Sequence, residues 1–89
     1  MRNIILNGKR MISREITHAY LKRKLNLPPY YGRNLDALYD VLTERNEYTV
    51  ITLINHHVMK DKLGLYGEKI IQVFRDAKEE NHHLHFLIR

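Results

Sequence analysis

The sequence predicts an α/β fold: a three-stranded parallel sheet packed against three main helices and one short helix. Three observations carry this expectation. Short apolar or β-branched runs occur near both ends and in the middle of the chain, each long enough for one strand. Segments with apolar residues at helical spacing separate them. Strands joined through helices pair in parallel through right-handed crossovers. The 89 residues suffice for one core of two layers, so a single domain over 1–89 is expected.

The elements follow in order. Arg2 to Leu6 contains Ile4, Ile5 and Leu6 and stops at Asn7-Gly8, a strand followed by a turn. Ser13 offers an N-cap for a helix over about 14–26. Its apolar pairs Ile16/Tyr20 and Leu21/Leu25 have i,i+4 spacing, and Lys22-Arg23-Lys24 suits the negative end of its dipole. Pro28-Pro29 ends it, because a residue before proline avoids the helical region. Tyr30-Tyr31-Gly32 forms an aromatic loop. Asn34 caps a second helix running to about Thr43, with Leu35, Leu38, Val41 and Leu42 as its inner stripe. Tyr48 to Ile54 is rich in β-branched residues and reads as a buried strand. His56 to Lys62 forms a short helix closing near Gly64. Gly67 precedes a third long helix over about 68–80, with Ile70, Val73, Phe74 and Ala77 inward and Asn81 as a left-handed C-cap. Leu84 to Ile88 is the last strand.

Composition narrows the function. With no cysteine, a disulfide framework, a thiolate zinc site and a thiol nucleophile are excluded. The opening apolar run is too short for a signal peptide or a membrane span, so a cytoplasmic location is expected. The net charge of +5 suggests an acidic partner such as nucleic acid. Its distribution says otherwise. Residues 1–25 hold seven basic groups against Glu15 alone, whereas residues 26–48 hold Arg33 and Arg45 against Asp36, Asp40, Glu44 and Glu47. The middle of this basic protein is acidic.

Four groupings could carry chemistry. Asp36 and Asp40 lie at i,i+4 on the second helix, and Thr43 continues the row at i+7, opposite Leu38 and Leu42. Tyr39 flanks the row on one side, and Arg33 and Glu44 flank it on the other. Such a row is either an ordinary solvated face or an anionic surface for a basic partner. The six histidines include His83 and His85, which alternate onto one face of the last strand. Two imidazoles without a fixed third ligand make no metal site, so surface histidines are expected and neither metal nor cofactor is called for. Paired carboxylates could serve acid–base catalysis. An outer helix face offers no cleft, and no phosphate-cradling or metalloprotease motif is present, so no enzyme is expected. Lys9, Arg10, Arg14, Lys22, Arg23 and Lys24 could contact nucleic acid, but only Tyr20 interleaves them and no nucleic-acid-binding signature accompanies them.

The run Leu27-Pro28-Pro29-Tyr30-Tyr31-Gly32-Arg33-Asn34-Leu35-Asp36-Ala37-Leu38-Tyr39-Asp40-Val41-Leu42 resembles the signature of the barstar family of ribonuclease inhibitors. A second similarity is Gln72-Val73-Phe74-Arg75-Asp76-Ala77-Lys78, where the family has Glu in place of Asp76. Ile4-Ile5-Leu6-Asn7-Gly8 is similar to the family's opening, so the resemblance spans the whole chain.

The resemblance implies a barstar-like α/β fold and an intracellular inhibitor that plugs the cationic groove of a secreted, guanyl-specific, barnase-type ribonuclease. It implies that Asp40 enters the phosphate site and that Asp36 pairs with basic groups at the groove rim. Tyr30 and Tyr39 supply aromatic packing, with Asn34 inside the signature between them. Thr43 and Glu44 contact the partner's edge, and Asp76 adds a peripheral charge pair. The expected free state is a monomer with no membrane or direct nucleic-acid partner. Two other readings stay open: a barstar-like interaction domain for a different basic protein, and a nucleic-acid-binding module using the basic N-terminal third. The chain departs from the family pattern in several places, lacking its cysteines and the proline after Tyr48. Tyr39 stands where tryptophan is common, Glu44-Arg45 replaces a Gly-aromatic pair, and Arg33 replaces an acid. Arg45 would oppose a cationic groove unless it points away.

Overall fold

A computed structural model describes residues 1–89. Three strands, β1 (Arg2–Asn7), β2 (Thr49–Ile54) and β3 (Leu84–Ile88), form one sheet in the order β1-β2-β3, with both pairings parallel. Four helices connect them: α1 (Arg14–Lys24), α2 (Leu35–Thr43), α3 (His56–Leu63) and α4 (Leu65–Glu80). A single 3₁₀ turn at Gly8–Arg10 precedes α1. This is the expected architecture.

Register assigns the two faces of the sheet. Ile4, Ile51 and Phe86 align in one row, with Leu6, Leu53 and Ile88 in the next inward row. These residues meet the helices, and Phe86 stacks on Phe74 of α4 at 4.9 Å between ring centroids. Leu21, Leu25, Leu38, Leu42, Met59 and Ile70 complete the core from all four helices. Each such side chain contributes about 1.5–3 kcal/mol by leaving water. The opposite face carries Asn3, Val50 and His85, then Ile5, Thr52 and Leu87. Ile5 and Leu87 are exposed there, so the helices cover one face only.

Two glycines set the joins. A Cβ on Gly8 would collide with the carbonyl oxygen of Asn55, so only glycine lets the end of β1 pass the end of β2. Gly64, at φ 59° and ψ −131°, turns α3 into α4 through backbone that other residues avoid.

Several local expectations need correction. α1 stops at Lys24, before the prolines. Asn26 takes φ 53°, Leu27 N–H donates to Lys22 O at 2.9 Å and Asn26 N–H donates to Arg23 O at 3.3 Å. This is a Schellman ending, with asparagine in the left-handed position. Ile16 is exposed rather than inward, because Thr17, His18 and Tyr20 occupy the buried face. α4 begins at Leu65, so Gly67 lies inside it, where a larger residue would crowd Lys60 and Leu63 of α3. Asn81 is no left-handed cap: its backbone is extended at φ −128°, ψ 107°. Its side chain instead clamps the fold, donating to Leu42 O and Arg45 O, both at 2.8 Å, and accepting from His83 N–H at 3.0 Å.

Candidate partner-binding face

The loop ahead of α2 is fixed from below. Tyr31 is buried, and its hydroxyl lies 2.6 Å from Nδ1 of His18 on α1. Nε2 of the same ring lies 2.6 Å from the Tyr66 hydroxyl on α4. A neutral imidazole donates from one nitrogen and accepts at the other, so both hydroxyls find a complementary partner. Burial, reinforced by the Arg33 guanidinium, holds the His18 pKa below its usual value. Burial also pushes the Tyr31 and Tyr66 hydroxyls up. The expectation of surface histidines therefore fails at His18, which is only 1% exposed. The other five are exposed or half-buried, and His85 meets the Tyr48 hydroxyl at 2.7 Å through Nε2.

From that anchored tyrosine the chain passes through Gly32 and Arg33, the latter at φ 55°. Asn34 then starts α2. Its Oδ1 accepts from Ala37 N–H at 2.7 Å, and its Nδ2 donates back to Gly32 O at 3.3 Å. The asparagine thus holds both the helix start and the loop before it. At the other end, Asn81 secures Leu42 O and Arg45 O. The helix is a short rod tied at both ends.

Its outer row is acidic. Asp36 and Asp40 are exposed, and neither carboxylate has an ion-pair partner in the chain. Four residues of helix separate them by about 6 Å along the axis. Thr43 follows, but its hydroxyl lies 2.9 Å from Tyr39 O and 3.1 Å from Asp40 O, so its proton is used within the helix. Glu44 is exposed at the C-cap. Tyr30 is 85% exposed at the loop tip. Tyr39 is half-buried and packs against the core.

Asp36 borders two hollows. One, of about 450 Å³ between α2 and α4, joins Asp36, Tyr39 and Asp76 above Leu35 and Val73. Asp76 accepts from Gln72 Nε2 at 2.8 Å. The same hollow includes Glu79 and Glu80, which the sequence reading passed over. Their spacing of three and four residues from Asp76 on one helix was the available signal. The other hollow, of about 500 Å³, joins Asp36 to Arg14, Glu15, Arg33 and Asn34 beside the His18–Tyr66 pair.

Arg45 does not face this surface. It donates from Nη1 to Leu25 O at 2.8 Å and from Nε to Thr49 Oγ1 at 2.9 Å, with Glu47 at 3.5 Å. The cation is spent holding the end of α1 against the start of β2. Three of the basic N-terminal residues lie over tyrosine rings. Arg10 and Arg23 lie over the Tyr20 ring at 5.8 and 5.6 Å, while Arg14 lies over Tyr66 at 4.2 Å. No three His, Asp or Glu side chains come together as a metal would require. No helix is long and apolar enough to cross a membrane.

Comparison with known proteins agrees with this arrangement. The family described as "Barstar (barnase inhibitor)" matches residues 1–89. A Bacillus subtilis (strain 168) protein named "Putative ribonuclease inhibitor YrdF" is 41% identical over 81 residues, covering 90% of this chain and 89% of that protein. The chain belongs to the barstar family, whose members are inhibitors and not enzymes.

Proposed function

We propose that this protein inhibits a secreted, guanyl-specific ribonuclease of the barnase type by filling its cationic groove with the carboxylates of α2. The observation that carries the reading is the unpaired acidic row on a helix tied at both ends. A groove built to hold phosphates offers clustered cations. Carboxylates fixed on a rigid helix meet them without losing much side-chain freedom. In this reading Asp40 occupies the phosphate site, against the partner's arginines and general-acid histidine. Asp36 pairs at the rim, and Asp76 with Glu79 and Glu80 extends the negative surface along α4. Tyr30 and Tyr39 provide aromatic anchors. Thr43, its proton already used, accepts from a partner donor at the edge, and Glu44 adds charge there. Asn34 acts by holding Asp36 in place. The chain works as one 89-residue domain, monomeric when free, in the cytoplasm.

Isothermal titration against a panel of barnase-type ribonucleases tests the proposal. Binding with loss of nuclease activity is expected, over an interface of about 800 Å² per partner. Asp40→Ala should remove most of that affinity. An absence of binding across the panel at micromolar concentration would reject it.

A further inference from the structure

We infer that the hollow ahead of α2 reads a carboxylate, so that the cognate ribonuclease presents an acidic side chain there beside the cations that meet Asp36. The inference rests on the inhibitor reading and adds the partner's charge pattern to it.

Two guanidinium groups reach this hollow from separate segments: Arg14 from the first turn of α1 and Arg33 from the loop before α2. Neither has an ion-pair partner, although Glu15 and Asp36 border the same space. Both are placed without being neutralised. Arg14 lies over the Tyr66 ring at 4.2 Å, a cation–π contact that uses none of its N–H groups as hydrogen-bond donors. Arg33 is placed by its backbone. It is one of three non-glycine residues at positive φ, and the other two, Asn26 and Asn55, are of the type that tolerates that region. Glycine or asparagine would make the same turn without strain, so position 33 keeps a cation at a conformational cost.

The surroundings add no further positive charge. Buried His18 is kept neutral beside the two tyrosine hydroxyls. Once a partner cation engages Asp36, Arg14 and Arg33 face the ribonuclease with only Glu15 against them. Two cations facing a purely cationic groove would oppose binding. A carboxylate on the partner removes that conflict, because the planar guanidinium matches it through two parallel hydrogen bonds. The fitting partner therefore carries a cation opposite Asp36 and an anion opposite Arg33.

Two measurements decide this. The first uses the chain alone, with N-acetyl-triaspartate amide as probe and acetyl-trilysine amide as control. The arginine Nε–H resonances are followed by NMR at low salt. Saturable shifts of Arg14 and Arg33 with triaspartate alone are expected, and Arg33→Glu should abolish the shift of Arg14. Shifts that fail to saturate, or that persist in Arg33→Glu, overturn the inference. The second is titration calorimetry with a ribonuclease that binds the wild-type chain. Arg33→Glu should weaken binding by about tenfold, as loss and reversal of one interfacial charge pair implies. Arg33→Gly, which keeps the turn without strain, should weaken it less, and thermal melts confirm that both variants fold. Binding of Arg33→Glu that equals or exceeds wild type overturns the inference, while a large Asp40→Ala loss in the same assay leaves the inhibitor reading intact. If no ribonuclease binds the wild-type chain, the inhibitor reading fails and the peptide titration alone decides.

Discussion

The Tyr31 hydroxyl lies 2.6 Å from Nδ1 of His18, which fastens the loop that launches α2 to the middle of α1. The same imidazole reaches Tyr66 on α4, so one histidine joins three parts of the fold beneath the proposed binding face. Around it lie Arg14, Glu15, Arg33 and Asp36, the charged groups of the hollow above. Burial and Arg33 favour the neutral ring. The unfolded chain, with an ordinary imidazole near pKa 6.5, therefore binds more protons than the folded one in mildly acidic solution. Stability from this group is complete above pH 6.5 and falls as pH drops through it towards the lower folded value. Urea unfolding between pH 5 and 8 should show that decline in the wild type and a flatter profile in His18→Gln. Tyr31→Phe should cost about 1–2 kcal/mol by leaving a buried ring nitrogen unpaired.

Arg45 gives a second prediction. It stands beside the acidic row in sequence yet turns inward to Leu25 O and Thr49 Oγ1. Replacing it with alanine leaves the carbonyl and the hydroxyl without their donor, at a cost of about 1.5–3 kcal/mol for bonds to a charged group. Lysine cannot serve both acceptors with the same fixed fork, so Arg45→Lys should recover only part of the loss. Chemical denaturation of both variants checks this. Ribonuclease affinity, measured well below their melting temperatures, should change little.

Much of the fold was legible because the signals that make it are local. Short apolar and β-branched runs marked the strands, and the Asn34 cap and the Leu38/Leu42 stripe marked α2 within a residue. The acidic row was legible for the same reason: four residues along one helix bring Asp36 to Asp40 without help from the rest of the chain. What escaped depends on distant partners. His18 is a core residue only because hydroxyls 13 and 48 positions away arrive to satisfy it. Asn81 resembled a helix cap, but its true acceptors lie 39 and 36 residues upstream. Glu79 and Glu80 join the acidic surface only once α4 packs beside α2.

That long-range clamp yields a third prediction. Asn81 donates to Leu42 O and Arg45 O, the carbonyls flanking Thr43 and Glu44. Asn81→Ala strands a buried carbonyl and frees the end of α2, at a cost of about 1–3 kcal/mol. Because the proposed contacts of Thr43 and Glu44 depend on that end, affinity should fall as well. Asn81 itself sits 5% exposed, out of a partner's reach. Calorimetric melting and titration of the same preparation should therefore show stability and binding falling together. A stability loss with unchanged affinity would mean that the end of α2 is not part of the interface.

The fourth prediction separates stability from function at Asp40. Asp36 sits in the first turn of α2, where a carboxylate is favoured by the helix dipole. Asp40 lies past the middle, near the negative end, and repels Asp36 across one turn. Neither forms an ion pair within the chain, although Arg14 and Arg33 border the hollow beside Asp36. Asp40→Asn should thus raise the unfolding free energy by about 0.3–0.8 kcal/mol, whereas Asp36→Asn should leave it unchanged or slightly lower. Binding should move the opposite way. Hot-spot scans, for which a barstar complex is itself a reference case, give losses of about 2 kcal/mol or more for a central interface charge, and Asp40→Asn should reach that range. A side chain that the free protein is more stable without, and that binding cannot spare, is the pattern expected where a surface is kept for its partner. Urea melts paired with ribonuclease titrations check both halves. An Asp40→Asn variant that is less stable than wild type and binds equally well would instead place Asp40 among the structural residues.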